Sequence, residues 1–499
     1  MSTVSELFPA GGGDNTIDMV ASGTLPNGSP VILKADGTVE VVAESSVSES
    51  IPAGSEVVFH ATDTDYTSIS FDPNNTNKFV IAYRTDGAGG GYATAIVGTV
   101  SGTSISFGAE YTFNAATSYY TSVTFDPNVA DKIIMLYRDG GSSNIGKVLI
   151  GTISGTSISF GTPTSFGTSY VYYLTLTVDP NTAGKFVVTY RDYANSNYGT
   201  AIVGTITGTS ISLGSPVVFN SADSHYTYGA YDVSTPGKLL VVYANYGSTN
   251  DGTAVVGTVS GTSISFGAAS TFDSGSTGEQ TVTSYPSTAG KFIISYRDEA
   301  SSDAGTLMIA TVSGTSVSFG SKYVYQASGG LSDISSKFTP NDVNKVLVAY
   351  RDHGTSYYGI TTLATISGNS ISFATRNVFT SGKVQDLNFA FASGSSGKFV
   401  LVYKDDPNSQ AGTAVVGQLA VTSTNLTSTN LLGINKKAAV DGATVAIETL
   451  GGYVDNQSGL TIGSDYYVAT DGSLTTTSTD NVRLGRAVTA TSINIRNYV

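Results

Sequence analysis

Through most of the chain, apolar residues come in short runs bounded by turn residues. Lys185–Asp192 reads KFVVTYRD and Gly199–Ile206 reads GTAIVGTI, each apolar on both faces of an extended segment. Tyr120–Asn128, YTSVTFDPN, alternates apolar and polar positions and ends in a DPN turn signal. Runs of this length and composition predict strands, and apolar character on both faces predicts small sheets covered on both sides. No segment of the sequence carries a sustained 3.6-residue stripe, so the pattern predicts an all-β protein.

The runs repeat. Copies of KFVVTYRD place Tyr at positions 83, 137, 190, 243, 296, 350 and 403, in steps of 53 or 54 residues. Each copy contains a strand ending in DPN or its equivalent, the KFVVTYRD strand, a GTAIVGTV-like strand, and an SISFG strand entered through a tight SGTS connection. Seven copies of four strands over residues 48–420 predict a seven-bladed β-propeller with a period of about 53 residues. A β-solenoid is the alternative, although its coils are usually shorter. The seventh copy lacks a fourth strand, and Glu56–Phe59 (EVVF) precedes Tyr66 by the offset at which Glu110–Phe113 (EYTF) precedes Tyr120. The start of the repeat region is therefore expected to complete the last blade. This connectivity puts the DPN and SGTS turns on one face, with the flanking segments attached there. The loops after the Arg-Asp pairs fall on the other, distal face.

The flanks, residues 1–47 and 421–499, share an internal pattern. Gly28 precedes Asp36-Gly37 by eight residues, as Gly463 precedes Asp471-Gly472, and both segments read as strand, DG turn, strand. The two ends are expected to form one small β domain into which the propeller is inserted. TSTNLTSTN (Thr422–Asn430) is read as a polar return linker, and the opening LFPAGGG as a segment ordered only against a partner.

Composition removes several function classes. The chain of 499 residues has a net charge of −14, with 24 basic against 38 acidic residues, and no Lys/Arg-rich run, which argues against nucleic-acid binding. With no Cys it has no disulfide, thiolate ligand or thiol nucleophile. The N-terminus lacks the basic and apolar regions of a secretory signal, and no window of 18 apolar residues predicts a membrane span. The G-x-S-x-G, H-E-x-x-H, P-loop and Rossmann motifs are absent, as is the sialidase-type box, so no catalytic residue and no cofactor is expected. His60, His225 and His353 belong to different copies and are not expected to share a metal. Asp63/Asp65 and Asp405/Asp406 lack a full Ca²⁺-loop pattern, so no metal site is predicted.

Two sets of polar residues recur. The first is the Arg-Asp pair ending the second strand: Arg84, Arg138 with Asp139, Arg191 with Asp192, Arg297 with Asp298, and Arg351 with Asp352, with Lys404 in the last copy and Ala244 in the fourth. A once-per-blade pair is read as tying one blade to the next, in preference to a ring of anion clamps. The second set comprises Tyr119, Tyr120, Tyr172, Tyr173, His225, Tyr226, His353, Tyr357 and Tyr358, in or beside the distal loops. Tyrosine presents a large, rigid area and a hydroxyl, which suits binding to glycan or protein; packing between blades is the competing role.

The chain ends resemble a module found in virion structural proteins of tailed bacteriophages, marine ones especially. The resemblance is carried by SELFPAGGG, ASGTLPNGSPVILKADGTVEVV, NLLGINKKAAVDGATVAIETLGG, NQSGLTIGSDYYVATDGSL and LGRAVTATSINI. The repeats are more weakly similar to those of marine phage tail-fibre-like proteins. The resemblance implies a non-enzymatic virion component made in the host cytoplasm: a tail fibre or tail-associated adhesin, with a β base on other virion proteins and propeller loops on a host cell-surface glycan or protein. A homo-oligomer such as a trimer is expected. A capsid decoration or head fibre and a propeller glycosidase or depolymerase are the alternatives.

Overall fold

The computed structural model describes residues 15–86, 90–394, 397–479 and 481–496; the LFPAGGG segment lies outside them. The chain divides into two compact units, Met1–Ser48 with Ala420–Val499, and Glu49–Leu419. Both are all-β. Helical structure among the described residues is limited to short 3-10 turns such as Tyr193–Asn195 and Glu299–Ser301.

In the larger unit, each repeat copy folds as an antiparallel sheet. The third copy shows the pattern. Its inner strand Val171–Val178 pairs with Lys185–Asp192, which pairs in turn with Tyr198–Thr207. The middle strand is covered on both faces, which is why Phe186, Val187, Val188 and Tyr190 are all fully buried. Asp179 fixes the turn before it, accepting the backbone N–H of Asn181 at 2.9 Å, as Asp72 does for Asn74 and Asp126 for Asn128. The outer edge of Tyr198–Thr207 receives two segments in succession, the hairpin return Ser210–Leu213 and then the first half of Val217–Tyr231. The second half of Val217–Tyr231 pairs with Lys238–Asn245 and is the inner strand of the next copy. One 15-residue strand thus belongs to two sheets.

The same arrangement joins the last copy to the first. Val57–Phe71 covers the third strand of the last copy, with Ala411 opposite Asp63 and Gly412 opposite His60, then pairs with Lys78–Thr85. Its two register shifts fall where those of Val217–Tyr231 fall against Tyr198–Thr207.

The repeat also dictates how neighbouring sheets pack. The seven second-strand tyrosines are among the largest fully buried side chains. Each meets the aromatic ring ending the outer segment of the preceding copy: Phe59 with Tyr83, Phe113 with Tyr137, Phe166 with Tyr190, Phe219 with Tyr243, Phe272 with Tyr296, Tyr325 with Tyr350 and Phe379 with Tyr403. Centroids in these pairs are 5.0–5.5 Å apart and the rings tilted or edge-on, the favourable geometry for aromatic contact. Room for the rings comes from glycine: a Cβ on Gly199 would lie 2.3 Å from the ring of Phe219, and one on Gly204 1.9 Å from the ring of Phe186 in the second strand.

In the smaller unit, strands from the two chain ends share a sheet in the order Thr16–Val20, Thr444–Glu448, Leu431–Asn435, Pro30–Leu33, Val39–Val41. A second sheet runs Tyr453–Val454, Ser492–Ile495, Val482–Thr489, Asp465–Val468, Leu474–Thr475. Each DG turn carries its glycine at φ +83° (Gly37 and Gly472), a conformation open to glycine at no steric cost. The linker reading of Thr422–Asn430 needs correction. Val421–Thr424 is a strand paired antiparallel with Glu44–Val47, because the two chain segments run side by side and satisfy each other's backbone groups. The polar composition that suggests a linker is that of a two-stranded ribbon open to solvent.

Candidate functional site

The loops after the second strands and the starts of the inner strands share one face of the larger unit. Asp139 pairs with Ser118, and the Gly140 N–H donates to the Thr117 carbonyl at 2.7 Å. The opposite face carries the DPN and SGTS turns, where the Val100 N–H donates to the Asn77 carbonyl at 2.8 Å.

One position per copy, at the start of each inner strand, has left-handed backbone: Tyr66 (φ 53°), Tyr120 (53°), Tyr173 (52°), Tyr226 (50°), Glu279 (47°), Asp333 (55°) and Asp386 (49°). Left-handed φ is uncommon for residues with a Cβ, and a register shift accompanies it in every copy, as in a bulge that re-aims a side chain. The four tyrosines pack ring to ring in sequence, Tyr66 to Tyr120 at 5.3 Å, Tyr120 to Tyr173 at 6.2 Å and Tyr173 to Tyr226 at 4.9 Å.

The three acids follow a different rule. Each carboxylate accepts a backbone N–H from the corresponding residue of the next copy: Glu279 from Asp333, Asp333 from Asp386, and Asp386 from Tyr66. Burial, then the neighbouring acid of the series, pushes Asp333 and Asp386 up to about 7. About a fifth of the Asp333 side chain (22%) still meets water, so this is desolvation at the wall of an opening rather than in a closed core.

In every copy but the fourth, where His225 faces Ala244, the residue before the left-handed position lies opposite the strand-end cation, as Tyr119 lies opposite Arg138 and Tyr172 opposite Arg191. The result is an alternating stack across three copies: Arg84 over Tyr119 (4.8 Å), Arg138 over Tyr119 (4.2 Å) and Tyr172 (4.7 Å), and Arg191 over Tyr172 (5.4 Å). Arg138 is 7% exposed and donates to the Val171 carbonyl of the next copy at 3.4 Å. Outside the stack lies an open shelf in which Tyr170 stacks on Tyr172 (6.1 Å, 14°) and meets Tyr193 edge-on (5.8 Å). Tyr170 and Tyr193 are 41% and 55% exposed.

The Arg and Asp of each pair act separately, because adjacent strand residues point to opposite faces. Arg297 reaches the Leu331 carbonyl of the next copy at 3.3 Å and Lys404 the Asp65 carboxylate of the next copy at 2.9 Å, while Arg191 pairs with Asp223 at 2.6 Å and Lys404 with Asp63 at 2.5 Å, each on the strand that covers the edge of its own copy. Arg84, Arg297 and Arg351 also form ion pairs within their own copies, with Asp86 at 2.6 Å, Glu299 at 2.6 Å and Asp333 at 3.4 Å, so the strand-end cations do not serve only to tie one copy to the next. The aspartates face the preceding copy and their own turn. Asp139 accepts from Asn114 of the preceding copy and the Gly141 N–H, and Asp352 from Gln326 of the preceding copy and the Gly354 N–H, whereas Asp298 accepts from Lys322 on the outer strand of its own copy and from the Ser301 N–H. Asp192 is raised by burial.

Of the remaining sequence candidates, His225 joins the tyrosine arc, stacked on Tyr246 at 3.7 Å with Tyr173 at 5.0 Å. Burial and then Arg191 hold its pKa below the usual histidine value. His353, Tyr357 and Tyr358 belong to the sixth copy, and no ring contact among the described residues links them to the arc. His353 bonds Ser332 at 2.9 Å, Arg351 lies over Tyr357 at 4.9 Å, and Tyr358 packs against a core cluster. His60 lies within the strand Val57–Phe71, its Nδ1 2.8 Å from Glu110. Asp63 and Asp65 clamp Lys404, and no group of three metal-ligating side chains occurs among the described residues. Sequence reasoning missed Tyr66, Tyr170, Tyr193, Tyr246 and the three acids. Aligning the copies on their left-handed position would have put Tyr66, Glu279, Asp333 and Asp386 in one column with Tyr120, Tyr173 and Tyr226.

No family model matches the chain, and no curated protein sequence matches it. Among solved structures, the BP39L lectin of Burkholderia pseudomallei superposes with a TM-score of 0.53 at 8% identity, over 72% of this chain and 96% of the lectin. Sqt1 of Chaetomium thermophilum matches at 0.45 and 12% identity over 74% of this chain and 98% of its own. A mutant Aleuria aurantia lectin in complex with alpha-methyl-L-fucoside matches at 0.41 and 12% identity, over 64% of this chain and 97% of its own. At these identities the likeness concerns fold alone: the larger unit is all-β and propeller-like.

Proposed function

We propose that the larger unit closes as a seven-bladed propeller and that the chain is a structural component of a bacteriophage virion, a tail fibre or tail-associated adhesin. In this reading the smaller unit docks on other virion proteins, and the loop face of the larger unit meets a host cell-surface glycan or protein. The seven-blade count is supported by the pairing of Val57–Phe71 with both the last and the first copy. The virion assignment rests on the resemblance of the chain ends. Adhesion rests on one observation, the open shelf of Tyr170, Tyr172 and Tyr193 over a stack of guanidinium groups. Rigid aromatic faces backed by cations suit stacking on sugar rings or polar protein surfaces at low entropic cost. Copies in a homo-oligomer multiply a modest single-site affinity.

Gold-labelled antibody against the larger unit, applied to intact particles from the source lysate, tests the placement: label on the tail is expected, and label spread over the head makes the chain a decoration protein. Purified chain binding to host cells tests the shelf, with Tyr172→Ala and Tyr193→Ala each expected to weaken binding at least tenfold. Unchanged binding in both removes the adhesion reading.

A polysaccharide depolymerase is the second reading, favoured by one observation: Asp333 and Asp386 stand side by side with raised pKa values at the loop face. It ranks lower because both carboxylates are already engaged by backbone amides. Cleavage of host polysaccharide that is abolished by Asp333→Asn would reverse that ranking.

A further inference from the structure

Inner strands of six copies line a cavity of about 500 Å³ along the axis of the larger unit. Its wall is hydroxyl-rich, with Ser68, Ser70 and Thr124 among the lining residues, and Phe71 and Phe338 supply apolar faces. Ser68 and Ser70 accept the backbone N–H groups of Val123 and Phe125 at 3.2 Å each, which leaves their hydroxyl protons to donate elsewhere.

A single charged side chain, that of Lys337, lines this cavity among the described residues. The equivalent positions of the other copies are Ser70, Thr124, Thr177, Ala230, Thr283 and Ala390, all small, so the lysine departs from the repeat at one point only. Its ammonium lies 5.7 Å from the centre of the Phe389 ring, and among the described residues no carboxylate pairs with it. The side chain is half-buried at the cavity wall, and this partial loss of water lowers its pKa to about 8. An ammonium drawn from water without a counter-ion costs free energy, and a bound anion recovers it.

We propose that the axial cavity is a binding site for a small sugar acid, a hydroxyl-rich ring bearing one carboxylate, with Lys337 pairing the carboxylate. The Ser68 and Ser70 hydroxyls meet the ligand hydroxyls, and the Phe faces take its C–H surface. The cavity volume lies within the range of small-molecule sites. This site shares no residue with the tyrosine shelf, so it stands whether or not the chain is an adhesin.

Calorimetric titration of the full chain with D-galacturonate and with D-galactose, which differ at one carbon, isolates the carboxylate. Galacturonate is expected to bind at least tenfold more tightly than galactose, and Lys337→Ala is expected to abolish that difference. Lys337→Gln, closer in size, repeats the test should the alanine variant not fold. The proposal is overturned if wild-type chain binds the two sugars equally or binds neither, or if a folded Lys337 variant retains the preference.

Discussion

Whether the larger unit is a closed ring can be decided at Phe59. This side chain is 5% exposed, packs on Tyr83 at 5.0 Å and Phe107 at 5.9 Å, and fills the space beside Gly412, where a Cβ would lie 2.4 Å from the ring. Phe219, its counterpart between the third and fourth copies, is 8% exposed and meets Tyr243 at 5.2 Å and Phe266 at 5.7 Å. Truncating a core phenylalanine to alanine costs about 3–5 kcal/mol. If the last copy is sealed by Val57–Phe71, Phe59→Ala and Phe219→Ala lose the same contacts and cost the same within about 1 kcal/mol. If the seam were open, Phe59 would sit on a free edge and its loss would cost about 0.5 kcal/mol, as for surface changes. Urea unfolding followed by tyrosine fluorescence suits the chain, which has 30 Tyr and no Trp. Amide exchange over Ala411–Gln418 reports the seam directly, and protection there should fall in Phe59→Ala but not in Phe219→Ala. A near-neutral Phe59→Ala beside a costly Phe219→Ala would refute the closed ring.

Three further outcomes are expected. Gly204→Ala puts a methyl group onto the Phe186 ring and should cost at least 1–3 kcal/mol in the same urea assay, the range for overpacking. Arg138→Lys loses the planar group held between Tyr119 and Tyr172 and should cost about 1–2 kcal/mol, read as a lower thermal midpoint. Burial and the neighbouring acid push Asp333 and Asp386 up to about 7, well above an unburied aspartate at about 3.9, so between about pH 4 and pH 7 the native state binds more protons and stability falls as pH rises. Wild-type chain should therefore be more stable at pH 5 than at pH 8, read as a higher thermal midpoint, and Asp333→Asn with Asp386→Asn should flatten that slope; an unchanged slope would assign it to other groups.

The all-β architecture was legible because it is written several times. Apolar runs at one spacing, each with a Tyr near the strand end, specify strands, and the displaced EVVF fragment reveals where the missing edge is covered. The candidate site was legible only in part. Tyr119 and Arg138 are distant in sequence, and their stacking follows from register, with Arg138 opposite Tyr119 across a bulge that no local signal marks. The acids escaped notice because Glu279, Asp333 and Asp386 share a backbone conformation with tyrosines, not a chemistry. Val421–Thr424 was misread since polar Ser/Thr composition suits a linker and an exposed ribbon equally, and only a partner strand distinguishes them.

That ribbon bears on how such a chain can be assembled. Ser50 and Gln418 exchange both backbone hydrogen bonds at 2.9 Å, so the larger unit returns the chain beside the point where it departs. Bringing together the ends of a flexible loop of several hundred residues would cost about 5 kcal/mol in chain entropy. Here folding of the inserted unit itself joins those ends, so the surrounding sheet meets the insertion as it would a short hairpin. Any unit that closes on itself with adjacent ends could replace this one without unsettling the sheet that carries it, which makes the insertion point a socket for exchange of whole domains.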